Sequence, residues 1–407
     1  MRRVHRGAFA APSLSSAMDG LAEARDRGLL TDLVYGTLRN QLLLDACLAG
    51  RLPAPQRLPE DARNALRLAT YELLIRGTPP HAAVDEWVEV VKASAPRLAG
   101  LANAVLRRVE VPANLPWDVL HSLPAWLAER LRALLGDAAV EAAAGMLTAE
   151  PLWLSSFGED AARVLVEDGC EVSDGPVTGS LAVRIPRPLA TLNAFRNGLV
   201  QPQNPASRLS ATLLAPAAGE RVLDLASGNG IKSAQLAYMG ARVTAVEIDR
   251  RKVERAESNL ARLGLGVEHL VADLRRKPDL PPALKVILDA PCSGTGTLRG
   301  NPEIKLRLRE HDIAELTTLQ AAMLDTAAAL TSPGGTLVYS VCALTADEGP
   351  VQVERFLARH DEFEPLSVEL PLEPPAEGSS NRQVSLSAGP GRVVLPISGL
   401  DGFFIAR

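Results

Sequence analysis

The residues of this chain best suited to chemistry are two cysteines, four acids and one glycine loop. The loop reads Asp224-Leu-Ala-Ser-Gly-Asn-Gly-Ile-Lys232, where Gly228 and Gly230 allow a tight turn and close backbone approach to a ligand. Glu247 follows 23 residues beyond Asp224. An acid about 20 residues past a glycine loop is placed to bind ribose hydroxyls. Asp273 comes next, then Leu288-Asp-Ala-Pro-Cys-Ser-Gly-Thr-Gly296, which sets Cys292 behind a proline and beside Asp289. The last piece is Val338-Tyr-Ser-Val-Cys342-Ala. A thiolate is a nucleophile, and a helix N-terminus favours it over the thiol. Thr345-Ala-Asp-Glu348 has the form of a capping box, which predicts a helix starting near Cys342. The loop lacks the G-x-G-x-x-G spacing and any G-K-[ST] phosphate motif. That favours a cofactor with adenosine and no pyrophosphate, as in S-adenosyl-L-methionine.

These residues need a frame, and the pattern from residue 201 onward supplies one. Strand-like runs at Arg221–Leu225, Arg242–Ile248, Val267–Val271, Val286–Leu288 and Thr336–Ser340 alternate with helical stretches such as Lys252–Leu263 and Asp312–Leu330. Alternation of this kind predicts a mostly parallel sheet with helices on both faces. Each chemical residue then stands at a strand's carboxyl end, where open parallel sheets bind ligands. Arg392–Leu395 and Gly402–Ala406 add candidate edge strands, and Leu370–Asn381 reads as a surface loop.

Residues 1–140 read as a helical bundle. Leu66, Ala69, Leu73 and Leu74 share one stripe, and Leu101, Val105 and Val109 recur every four residues. Prolines at 53, 55, 59, 79 and 80 punctuate it, and Pro112 and Pro116 stop the run ending at Val109. Residues 141–200 read as a small α+β connector, with β-prone Leu152–Phe157 and Leu181–Ile185 around the helical Ala161–Asp168. Three domains result: helical 1–140, connector 141–200 and α/β 201–407.

A length of 407 residues and a charged fraction of 22% suit a globular, multidomain chain. No apolar run of membrane-span length or export signal is present, which sets a cytoplasmic expectation without a membrane partner. The net charge of -5 argues against strong non-specific nucleic-acid binding, although residues 1–110 carry 15 basic and 12 acidic side chains. Arg299, Lys305, Arg307 and Arg309 form a basic spot, read as a solvated helix face. Cys47 and Cys170 read as small buried hydrophobes. No C-x-x-C pair is present, so no metal is expected.

At the cysteine motifs the sequence resembles the RNA 5-methylcytosine methyltransferases, above all the RsmB/Sun group that acts on bacterial small-subunit ribosomal RNA. Asp289–Gly296 matches that family's D-A-P-C-S-x-x-G, and Tyr339–Cys342 its Y-x-T-C-S. Asn301-Pro-Glu-Ile-Lys305 is similar to its H-P-D-I-K, and Asp401-Gly-Phe-Phe-Ile-Ala406 to its D-G-F-F-x-A. Asp26–Arg39 and His81–Glu86 resemble the group's NusB-like RNA-binding domain. The resemblance implies an all-α NusB-like domain, a connector and a Rossmann-like methyltransferase domain. It implies that Cys342 attacks C6 of cytosine in 16S ribosomal RNA and that Asp289 binds the base near N3. Cys292 then assists loss of the C5 proton and release of Cys342. For S-adenosyl-L-methionine it implies Ala226, Ser227, Gly228, Asn229, Gly230, Ile231, Lys232, Glu247, Asp273 and Asp289.

Three departures from the family stand out: the loop replaces C-A-A-P-G-G-K, Asn204 replaces aspartate, and Ala343 replaces serine. These motivate one alternative, a catalytically inactive RNA-binding ribosome-assembly factor. A DNA cytosine methyltransferase would carry an E-N-V motif and a target-reading insertion, and neither is found.

Overall fold

The computed structural model describes residues 1–18, 20–21, 23–52, 54–372 and 383–407. Pro53 and residues 373–381 of the expected loop lie outside them. The chain divides into two compact units. One comprises Met1–Glu129, Ala143–Ala149 and Leu298–Leu308; the other comprises Arg130–Ala142, Glu150–Thr297 and Arg309–Arg407.

The first unit is helical. Helices Gln41–Ala49, Glu60–Leu74, Pro80–Ser94 and Ala99–Leu106 bury Leu48, Leu66, Ala69, Val84, Val91, Ala102, Val105 and Leu106 together. Glu60 and Asp61 begin their helix, where acids complement the helix dipole. The expected stripe of Leu101, Val105 and Val109 is corrected. The helix ends at Leu106, Leu101 is 40% exposed, and the buried face is Ala102, Val105 and Leu106. Spacing of three and four residues, rather than four alone, keeps side chains on one face.

The basic spot is corrected at Arg299 and Lys305, whereas Arg309 is exposed as expected. Leu298–Leu308 packs within the helical unit, with Arg299 2% and Lys305 4% exposed. Arg39 Nε donates to Arg299 O (2.8 Å), Lys305 Nζ donates to Arg39 O, and Ala10 N donates to Glu303 Oε1 (2.9 Å). Burial pushes the Lys305 ammonium down to about 7.

The second unit holds two sheets. Strands β1 (Leu152–Ser156), β2 (Glu171–Asp174), β3 (Ser180–Arg184) and β4 (Val200–Pro202) form an antiparallel sheet in the order β2-β3-β1-β4. The larger sheet contains β5 (Arg221–Leu225), β6 (Arg242–Glu247), β7 (Glu268–Val271), β8 (Ala283–Asp289), β9 (Thr331–Val341), β10 (Ser385–Ala388), β11 (Gly391–Val394) and β12 (Phe403–Ala406). Its order is β10-β11-β12-β9-β8-β5-β6-β7. Strands β5 to β9 pair in parallel, and β10 to β12 extend the sheet antiparallel. Valine- and leucine-rich runs suit strands covered on both faces, and Val222, Leu223, Val286 and Ile287 are fully buried. From β5 the chain winds outward through β6 and β7, then returns on the other side to β8 and β9. The order reverses between β5 and β8, so a crevice opens beyond their carboxyl ends.

Candidate active site

The glycine loop leaves β5 through an alternation of left-handed residues, Ala226 (φ +60°), Gly228 (+59°) and Gly230 (+73°). Gly230 precedes helix Ile231–Tyr238, and a Cβ there would lie 2.9 Å from the Cβ of Ala256. A Cβ at Gly228 would meet nothing within 4 Å, so that part of the loop is open. Glu247, the last residue of β6, ties the loop down. Its Oε2 accepts from Gly228 N and its Oε1 from Asp249 N, both at 2.9 Å. Asp224 is fully buried, accepts from Ser233 Oγ, and is pushed up to about 7 by burial. Asp224 Oδ1 and Ser227 Oγ are buried without hydrogen-bond partners. An open loop with unspent polar atoms fits a nucleoside cofactor rich in hydroxyl and amino groups. Asp273 instead turns back on its own chain. Arg275 binds it through Nε and Nη2 (2.6 Å), and those bonds hold it down at about 2.

The thiols meet across the neighbouring strand ends. Cys292 Sγ and Cys342 Sγ lie 3.1 Å apart. Asp289 closes the group: its Oδ1 accepts from Ser340 Oγ (2.9 Å) and its Oδ2 from Lys232 Nζ (2.6 Å). Lys232 also donates to Ser207 Oγ (3.0 Å), and its ammonium sits 5.5 Å from the Phe403 ring centroid. So Lys232, read from the sequence as a cofactor-loop residue, directs its charge to Asp289. The hydrogen bond to Cys342 and burial push the Cys292 thiol well above its ordinary value.

The expected capping box does not cap a helix. The helix begins at Pro350, with Gly349 before it and no side-chain cap. Glu348 is fully buried and accepts from Ser293 N (2.8 Å), Ser293 Oγ (2.6 Å), Thr345 Oγ1 (2.8 Å) and Gln320 Nε2 (3.2 Å). The expected helix-end field on Cys342 therefore loses its structural basis. Sequence reading missed Ser207, Gln320, Ser340 and Phe403. Ser340 and Phe403 carried a signal, being inside the second cysteine motif and the Asp401–Ala406 stretch. At the other departures, Asn204 Oδ1 accepts from Ala206 N (2.9 Å) and Asp401 N (3.0 Å), and Ala343 is fully buried.

A parallel sheet with its order reversed at β5 and β8, a glycine loop on one side and paired thiols on the other, defines a Rossmann-like methyltransferase. The model of the 16S rRNA methyltransferase RsmB/F family matches residues 211–407, and that of the NusB family matches residues 4–111. Ribosomal RNA small subunit methyltransferase B of Thermus thermophilus is 44% identical over 383 residues, covering 94% of this chain and 88% of its own length. The probable ribosomal RNA small subunit methyltransferase B of Bacillus subtilis is 31% identical, covering 94% and 90%. The crystal structure of PH0851 superposes with a TM-score of 0.78 at 27% identity, covering 96% of this chain and 92% of that one. A methyltransferase homologue from Pyrococcus horikoshii superposes at 0.58 with 25% identity, covering 71% and 96%. The chain belongs to the ribosomal RNA small subunit methyltransferase B family. Its methyl donor is S-adenosyl-L-methionine.

Proposed function

We propose that this chain methylates C5 of a cytosine in small-subunit ribosomal RNA through a covalent bond between Cys342 and C6. The observation that carries this reading is the 3.1 Å approach of two thiols beside Asp289. N-methylation needs no such pair. C5 of cytosine is a poor nucleophile, and adding a thiolate at C6 splits one hard step into easier ones.

The residues divide the work as follows. Ala226 to Ile231 and Glu247 would hold the cofactor, and Asp273 would join them on giving up its pairing with Arg275. S-adenosyl-L-methionine, when bound, would supply an electrophilic methyl group for C5 and lose one positive charge on giving it up. Cys292, its thiol pushed up by burial and by its contact with Cys342, is the sulfur that keeps its proton, and Cys342 is the nucleophile that bonds to C6. The Lys232–Asp289 pair stands ready to give the ring nitrogen N3 a proton as charge builds there, and to take it back on release. Once Cys342 is bonded to carbon it carries no charge, and Cys292 gives up its proton to solvent. Its thiolate then takes the proton from C5 while the C6–S bond breaks, returning Cys342 as thiolate. One proton reaches solvent per turnover, matching the charge lost by the cofactor.

The target cytosine must leave any stack to reach these sulfurs, so single-stranded or flipped RNA is the substrate form. The same reading puts the protein in the cytoplasm with that RNA. Bisulfite sequencing of 16S ribosomal RNA from cells with and without the protein tests it. One protected cytosine that disappears with the protein is expected, and identical patterns would overturn the reading.

A further inference from the structure

We infer that Glu348 is the positioning residue for Cys292, fixing through its buried carboxylate the short loop that carries this thiol against Cys342. This rests on the cysteine mechanism proposed above. Glu348 receives four neutral donors, two of them from Ser293, the residue directly after Cys292. Gln320 divides its amide between Glu348 and Pro291 O (2.9 Å), the carbonyl directly before Cys292. The peptide groups on both sides of the thiol are therefore tied to one pair of side chains. Thr345 links the same carboxylate to the segment just beyond Cys342. A single buried anion thus sets the register between the two cysteine-bearing segments.

Stability alone does not call for a charge here. A buried carboxylate is costly to desolvate, and well-packed apolar groups of similar volume stabilise a core as well or better. What the carboxylate provides is geometry, because four donors converging on two oxygens leave the loop one arrangement. It also provides charge. Glu348 and Asp289 both face Cys292 with negative charge, beside Cys342, and Tyr339 OH donates to Glu348 O (2.8 Å). Lys232 neutralises Asp289. Glu348 therefore helps keep the proton on Cys292 until Cys342 has reacted.

Glu348→Gln tests this with unmodified small-subunit ribosomal RNA transcribed in vitro and S-adenosyl-L-methionine. Product and denaturation-resistant protein–RNA adduct are quantified across pH. Attack by Cys342 persists and release slows about ten- to a hundredfold, the range for losing a hydrogen bond to a charged group. Adduct therefore accumulates with Cys342 intact. The rising limb of release against pH moves to lower pH, because one anion facing Cys292 is gone. Gln320→Leu frees Pro291 O but leaves that anion, so release slows about three- to tenfold with the limb unmoved. Wild-type behaviour in both variants overturns the inference. So does an equal loss of adduct and product at every pH, which marks a purely structural role. If Glu348→Gln does not fold, adduct accumulation in Gln320→Leu decides. Failure of the underlying reading looks different: Cys342→Ala would then still turn over.

Discussion

Two loops on one sheet edge are built in opposite ways. Residues 226–230 after β5 take their shape mainly from the backbone, three left-handed residues in alternation with one side-chain tie from Glu247 to Gly228 N, and leave Ser227 Oγ unpartnered. Residues 290–296 after β8 take theirs from side chains, with Gln320, Thr345 and Glu348 spending their hydrogen bonds on Pro291 and Ser293 or on one another. The loop proposed to take the cofactor keeps a polar atom in reserve. The loop that sets one sulfur in hydrogen-bond contact with another is tied on both sides of Cys292.

Breaking the thiol side has the larger consequences. Cys342→Ala lowers methyl transfer to RNA by at least about a thousandfold in a tritiated methyl assay, as loss of a nucleophile does. Full turnover in that variant would remove Cys342 from its role. Cys292→Ala slows release about a hundredfold or more and traps a protein–RNA adduct seen as a shifted gel band. A variant that forms no adduct would count against the release role.

The glycine side responds more in stability. Gly230→Val forces a β-branched residue to positive φ and its Cβ against Ala256, costing about 2–4 kcal/mol in denaturant unfolding. Asp224 adds a pH signature. Burial pushes it up to about 7, above the ordinary aspartate value of about 4, so the protonated form favours folding. That contribution is full below the lower value and is lost as pH rises through the higher one. Melting curves should therefore show wild type losing stability relative to Asp224→Asn between about pH 4 and pH 7. Parallel curves would show that Asp224 titrates normally. The smallest effect is expected from Ala226→Gly, which relieves the left-handed alanine but loosens the unfolded chain, for a net gain of about 0.5–1 kcal/mol.

Much of this arrangement is legible in the sequence. Strand periodicity placed Asp224, Glu247, Asp273, Asp289 and Cys342 at strand ends, and strand ends of a parallel sheet share one rim. What misled was local pattern without tertiary context. Thr345 and Glu348 have capping-box spacing, yet the glutamate finds better donors on Ser293 than at a helix end. Arg299 and Lys305 look like a solvated face because charge usually means surface, and only packing against Arg39 takes them inside. Ser207 and Phe403 reach Lys232 from elements remote in sequence, which no local pattern encodes. Strand β10 is only four residues long and was missed.

The membership of Leu298–Leu308 in the helical unit has a consequence for dissecting the molecule. No single cut separates the two units, because the second hands eleven residues back to the first. A fragment ending at Ala149 would lack the carboxylate that receives Ala10 N and the carbonyl that receives Arg39 Nε. It would expose the apolar floor of Val4, Ala10 and Leu38 on which Leu306 rests, so a helical piece made alone should aggregate. Supplying Leu298–Leu308 as a separate peptide, or splicing it to Ala149 through a flexible linker, is the economical way to recover that unit in isolation.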